Sequence, residues 1–146
     1  MAKVFEIAIS KNFKGKIIKI PSVEAIAKKG LFGDRHFREN NSDKSQVTLI
    51  ESENIDYYNE KFGTSIAYID FRRNIITSGI KLNALLGKEF FIGEVKVKAN
   101  DLCRPCKYLQ KTLKKDNIVR EFLTKGGIRC EILTNGKIYV GDTFKI

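Results

Sequence analysis

Apolar and polar residues alternate with a period of two in many short stretches of this chain, and only two stretches carry the three-and-four spacing of a helix. Gly93-Glu94-Val95-Lys96-Val97-Lys98-Ala99 is the clearest alternation, as expected of a half-buried strand. Residues 4–9 and 16–20 read as two further strands, with Asn12 and Gly15 punctuating the turn between them. Residues 47–50, 74–77, 89–92, 94–99, 129–133, 137–140 and 143–146 complete the strand set. Residues 51–62 form the better helix, with Ile55, Tyr58 and Phe62 on its apolar face and Gly63 as its stop. A second helix is predicted after Cys106, where Leu109 and Leu113 stand four apart. Residues 30–45 are polar, rich in turn formers and read as a long loop, a kind of segment that is often functional inside a compact domain. Phe90-Phe91-Ile92-Gly93-Glu94-Val95 and Ile138-Tyr139-Val140-Gly141-Asp142-Thr143 share one pattern, which suits successive β-turns in a barrel. The prediction is a β-rich α+β fold, a barrel-like mixed or antiparallel sheet of short strands with a few peripheral helices. At 146 residues, with no linker or low-complexity tract, one domain is expected.

Composition narrows the function classes. No run of about 18 apolar residues exists, so no membrane span or membrane partner is expected. The first residues, Met1-Ala2-Lys3-Val4-Phe5-Glu6-Ile7, lack a signal-peptide core, and an odd count of three cysteines fits a reducing compartment. The expected location is cytoplasmic. The net charge of +10, from 27 basic and 17 acidic residues, invites a nucleic-acid reading. The lysines are scattered singly or in pairs, without interleaved aromatics or a recognition motif. A solvated surface, or attraction to a phosphorylated small molecule, accounts for the charge better.

Cys103-Arg104-Pro105-Cys106 is where the chain would present a reactive sulfur, because it joins a strand-like run to a helix-like run. Pro105 suits the first helical position, where its missing N–H costs nothing. Cys106 would then lie among unpaired N–H groups, with Arg104 and Lys107 alongside, an environment that favours thiolate over thiol. A closed zinc site needs four ligands, usually in paired half-sites. Cys103, Cys106, Cys130 and His36 make that number but match no zinc spacing. A thioredoxin-like dithiol needs βαβ units and a later proline, and the sequence after Cys106 offers neither. Three other segments carry chemistry. Gly33-Asp34-Arg35-His36 puts an acid, a guanidinium and the only imidazole in the long loop. Phe71-Arg72-Arg73-Asn74-Ile75 leads into a strand, with Arg72 and Asn74 expected on one side and Arg73 on the other. Arg72 there can fork onto a phosphate and Asn74 can bind a heterocycle edge. Gly126-Gly127-Ile128-Arg129-Cys130 is a turn leading to a strand in which Cys130 packs as a small hydrophobe.

In this order, and together with Gln46-Val47-Thr48-Leu49-Ile50-Glu51, Leu82-Asn83-Ala84-Leu85-Leu86-Gly87 and Gly136-Lys137-Ile138-Tyr139-Val140-Gly141-Asp142, these segments resemble the MOSC domain, the C-terminal domain of molybdenum cofactor sulfurases, in its small stand-alone form. The resemblance implies a barrel of the kind found in the B domain of pyruvate kinase. It further implies a cysteine, Cys106, that carries sulfur as a persulfide or ligates molybdenum, with Cys103 as a second thiol. A molybdenum cofactor is implied, its anionic pterin held by Arg72 and Asn74, and secondarily by Arg73, Arg104, Arg129, His36 and Arg35. The pyridoxal-phosphate desulfurase domain of full sulfurases is missing, so this chain binds no pyridoxal phosphate itself and would draw on a cysteine desulfurase or molybdoenzyme partner. Two alternatives stay open. One is a molybdenum-cofactor oxidoreductase reducing N-hydroxylated compounds with a partner reductase, and the other is a non-catalytic module that binds the pterin.

Overall fold

The period-two segments become strands, and each strand's buried set follows from which of its faces is covered. The structure is a computed structural model that describes residues 1–12 and 14–146. In chain order the strands are β1 (Lys3–Ile9), β2 (Ile18–Ile20), β3 (Ser22–Ile26), β4 (Gly30–Leu31), β5 (Val47–Glu51), β6 (Ile75–Ser78), β7 (Glu89–Ile92), β8 (Val95–Leu102), β9 (Ile128–Ile132), β10 (Gly136–Tyr139) and β11 (Phe144–Lys145). The helices are α1 (Ser52–Phe62), α2 (Lys107–Leu113) and α3 (Ile118–Glu121), with short 3-10 segments at Tyr68–Phe71 and Leu82–Leu85.

Among the described residues, eight strands form one sheet in the order β11-β7-β8-β9-β5-β6-β1-β2. Its one parallel pair is β5–β6, reached through α1, because parallel neighbours need a crossover. The sheet curls until β1 meets the segment around β11. Val4 N–H donates to the Asp142 carbonyl at 2.8 Å, Gly141 N–H to Val4 at 2.8 Å, and Phe144 N–H to Ala2 at 3.2 Å. A small sheet, β10-β3-β4, adds Val23, Ala25, Leu31 and Ile138 to the same interior. The architecture is therefore the β-rich, barrel-like one that the alternation predicts.

Two apolar cores result. Leu49 of β5 and Ile75 of β6 point into the barrel, and their neighbours Ile50 and Ile76 point outward into a second core. Ile55 and Tyr58 of α1, Leu109 of α2, Ile118 of α3, Phe71 and Phe122 cover that outer face. Strands buried on both faces read as continuous apolar runs, as these two do. The second core matters for function because it seats α2, the helix that follows Cys106.

Several boundaries move. The strand predicted at 16–20 shrinks to β2, and β3 begins directly after Pro21, in a stretch whose strand character the proline and Glu24 concealed. The long loop opens with the two residues of β4 and is otherwise irregular. Asn41 gathers it by donating from Nδ2 to the carbonyls of Lys29 (2.9 Å), His36 (2.6 Å) and Ser45 (3.2 Å). The shared Gly-acidic pattern serves two purposes. Gly93-Glu94 closes the β7–β8 hairpin, whereas Gly141-Asp142 carries the chain from the small sheet to the large one, since its backbone groups are taken by Val4. Among the described residues no helix is long and apolar enough to cross a membrane.

Candidate functional site

Strand β8 ends at Leu102 and α2 begins at Lys107, so Cys103-Arg104-Pro105-Cys106 is the link between them. Cys106 is the N-cap of α2: its backbone is extended (φ −116°, ψ 166°) and its Sγ accepts the Leu109 N–H at 3.5 Å. This corrects the expectation for Pro105, which lies one residue before the cap and not at the first helical position. The thiol itself performs the capping that Ser or Asp usually performs, and the helix starts after it. All three cysteines are free, with Cys106 exposed and Cys103 and Cys130 buried. Burial first, and the neighbouring Cys103 second, push the Cys130 thiol far above its ordinary range, as befits a residue packed in the barrel core.

Cys103 and Cys106 line a cavity of about 220 Å³ together with Tyr108 and Leu109 of α2. The opposite wall comes from Arg72, Arg73 and Asn74. Arg72 has a left-handed backbone (φ 62°) after the 3-10 segment, so strand alternation does not operate there. All three side chains consequently face one cavity, against the expectation that Arg73 would point away. Their roles differ. Arg73 is spent on carbonyls: Nε donates to Gly126 at 2.9 Å, Nη1 to Phe71 at 3.3 Å, and Nη2 to Cys103 and Arg104 at 3.4 Å each. It clamps the cysteine link to the turn before β9. Asn74 accepts at Oδ1 from the Thr48 N–H (3.1 Å) and the Thr48 hydroxyl (3.2 Å), and donates from Nδ2 to Ala8 (3.2 Å). The Asn74 N–H returns a bond to Thr48 Oγ1 at 3.0 Å.

Arg72 is different. Its Nη1 donates to the Gly15 carbonyl at 2.9 Å, and its buried Nη2 has no hydrogen-bond partner among the described residues. Arg35, on the long loop, repeats the situation. Its side chain is only 10% exposed, and its Nη1 forms an ion pair with Asp34 Oδ1 at 3.7 Å, beyond hydrogen-bond range, and has no hydrogen-bond partner among the described residues. Burial lowers the Arg35 pKa; the Asp34 carboxylate opposes that, and Arg72 adds to it. His36 is also lowered, by burial first, with Asp34 opposing and Arg35, Arg38 and Arg129 reinforcing.

Arg129 completes one side of the cavity while its Nη1 donates to the Lys44 carbonyl at 3.1 Å. Arg104 stands outside the lining, with Nη1 at 3.3 Å from both carboxylate oxygens of Asp101. Sequence reasoning missed Thr48, Tyr108 and Lys14, all of which line the cavity. A lone hydroxyl between Val47 and Leu49 was the signal for Thr48. The Tyr108 ring has Lys14 Nζ at 5.0 Å and Arg72 Cζ at 5.9 Å from its centroid, a contact between distant segments that no local pattern reveals.

Among the described residues no carboxylate lines the cavity, and no three His, Cys, Asp or Glu side chains group as metal ligands, so the four-ligand zinc set is not assembled. Two buried guanidinium nitrogens without a hydrogen-bond acceptor among the described residues are costly to leave so, and they fit an oxyanion. A metal at this place would have to bring most of its own ligands.

The family model described as "MOSC domain" matches residues 28–145. Solved structures share the fold at low identity. YiiM from Geobacillus stearothermophilus superposes with a TM-score of 0.78 at 16% identity, covering 99% of this chain and 74% of its own. The YuaD protein from Bacillus subtilis gives 0.76 at 21%, covering 98% and 93%. YiiM from Escherichia coli gives 0.73 at 18%, covering 99% and 69%. None of the curated proteins matches the sequence.

Proposed function

The chain belongs to the MOSC domain family, and from that premise we propose that it is a sulfur carrier associated with the molybdenum cofactor, loading sulfur on Cys106 beside a pocket for the cofactor's anionic end. The observation that carries this reading is that an exposed thiol opens on the same cavity as Arg35 and Arg72, whose buried Nη1 and Nη2 respectively lack a hydrogen-bond acceptor among the described residues.

The donor set suits the phosphate of a pterin cofactor, which Arg35 and Arg72 would hold, with Arg129 at the side. About 220 Å³ is below the roughly 300–1,000 Å³ of sites that enclose a whole drug-sized ligand, so the cavity would hold the anionic end of the cofactor and not the whole of it. When bound, the cofactor supplies a soft metal centre for which thiolate or persulfide sulfur is a suited ligand. The protein's own step is sulfur transfer between thiols. Cys106 thiolate attacks the terminal sulfur of a persulfide on a cysteine desulfurase. A bond forms from Cys106 Sγ to that sulfur, the donor's S–S bond breaks, and its thiolate leaves. No outside oxidant is needed. The Leu109 N–H steadies the sulfur, and Arg73 keeps the link around it in place.

Intact-mass analysis of gently purified protein from a cofactor-competent host tests the reading. The expected result is one added sulfur atom on Cys106, removed by a thiol reductant and absent in Cys106→Ser. Stoichiometric molybdenum without added sulfur would replace the carrier with the oxidoreductase reading. Pterin bound equally by Cys106→Ser, with no sulfur on the native protein, would leave only a binding module.

A further inference from the structure

We propose that the same cavity also takes sulfur directly from a small sulfane-sulfur oxyanion of the thiosulfate class, giving the chain a thiosulfate sulfurtransferase half-reaction. The inference rests on Cys106 being a sulfur acceptor and adds a second kind of donor.

The cavity has room for a compact dianion and a cationic lining to receive it. Its lining offers Arg35, Arg72, Arg73, Arg129 and Lys14 and, among the described residues, no carboxylate. Arg73 is occupied by backbone carbonyls, so the grip falls to Arg35 and Arg72, each with one buried guanidinium N–H group lacking an acceptor. Asp34 does not satisfy Arg35, because its Oδ1 accepts the Ser10 N–H at 3.0 Å and lies 3.7 Å from the guanidinium. One buried guanidinium nitrogen on each of two arginines, without a hydrogen-bond acceptor among the described residues, makes a waiting oxyanion site.

Thiosulfate has three oxygens and one sulfane sulfur. With the oxygens turned to Arg35 and Arg72, the sulfane sulfur is the corner left for Cys106, which lines the cavity while remaining exposed. The step balances without a further reagent. Cys106 thiolate attacks the sulfane sulfur, the S–S bond breaks, and its electron pair departs with sulfite. The products are a Cys106 persulfide anion and sulfite, and total charge is unchanged. A thiol or cyanide acceptor then removes the outer sulfur and restores the thiolate. Arg35 and Arg72 stabilise the charge that collects on the leaving sulfite.

The test uses the full chain with thiosulfate as donor and cyanide as acceptor, reading sulfite release, thiocyanate formation and added sulfur on Cys106. Inorganic polysulfide, which has no oxyanion head, is the comparison donor. Thiosulfate is expected to load Cys106. Arg35→Met and Arg72→Met are each expected to lower kcat/KM for thiosulfate by about 10- to 100-fold while polysulfide loading persists. Arg120→Gln, a surface change at an exposed ion pair, is expected to stay within about twofold. Sulfate should compete with thiosulfate on the unmodified protein, a readout that does not depend on any variant folding. If polysulfide loads Cys106 and thiosulfate does not, or if thiosulfate loads all variants equally without sulfate competition, this inference fails and the carrier reading stands. If neither donor loads Cys106, both fall.

Discussion

Cys103, Cys106 and Cys130 are chemically identical groups separated by their surroundings. Iodoacetamide is expected to modify Cys106 alone in the native protein and all three after denaturation, since only Cys106 is exposed. Peptide mapping checks this, and native modification of Cys103 at a similar rate would contradict the geometry. His36 makes a second prediction. Its folded pKa lies below the ordinary 6.5, through burial first. Unfolding releases the imidazole, so below 6.5 the unfolded chain holds more protons than the folded one, and stability rises with pH through that window. Above 6.5 the penalty is gone. Urea midpoints between about pH 5 and 7 should climb for the native protein and climb less for His36→Gln, and equal slopes would refute the assignment. At this scale the sequence was readable as chemistry but not as partnership. Arg72 and Arg73 are adjacent and alike, yet Arg73 is consumed by four carbonyls while Arg72 Nη2 has no acceptor among the described residues; only long-range backbone placement separates them.

The elements were legible wherever a pattern had room to repeat. Helix α1 spans three turns and ends where Gly63 adopts φ +63°, so both its apolar face and its stop could be read directly. Helix α3 has four residues, too few to show a period, and β3 follows a proline that reads as a break. The start of α2 was misplaced by its cap, because a cysteine in that role carries no strong prior. The turn into β9 shows how elements hold the site. Gly127 has φ +99°, and a Cβ there would run into the Leu49 carbonyl, while one at Gly126 would meet the Cys103 carbonyl. Gly127→Ala is expected to destabilise by at least about 3 kcal/mol, measured by urea unfolding. Since this turn anchors Arg73, the loss should be accompanied by faster alkylation of Cys103. A neutral substitution would mean that the turn is free to rearrange.

For the whole molecule, the barrel-like class followed from many short strands, but closure did not, because it depends on pairing between segments far apart in sequence. On one side β1 pairs with β6, and on the other it pairs with β2 through Ile7–Ile9 and, at Lys3, with Thr143 just before β11. Removing residues 141–146 is expected to abolish cooperative unfolding, since it exposes the backbone groups of Ala2 and Val4 and uncovers the edge of β7. Circular dichroism and a urea melt decide this; a truncated chain that still melts sharply would show the contact to be dispensable.

That contact has a temporal consequence. Residues 2–4 are synthesised well before residues 141–144 and must wait for them before their outer edge is sealed. Until then one edge of that strand end stays unpaired, and closing it joins segments remote in sequence, which is intrinsically slow. A chain held before that closure would present a row of unpaired N–H and C=O groups, the usual template for edge-to-edge aggregation.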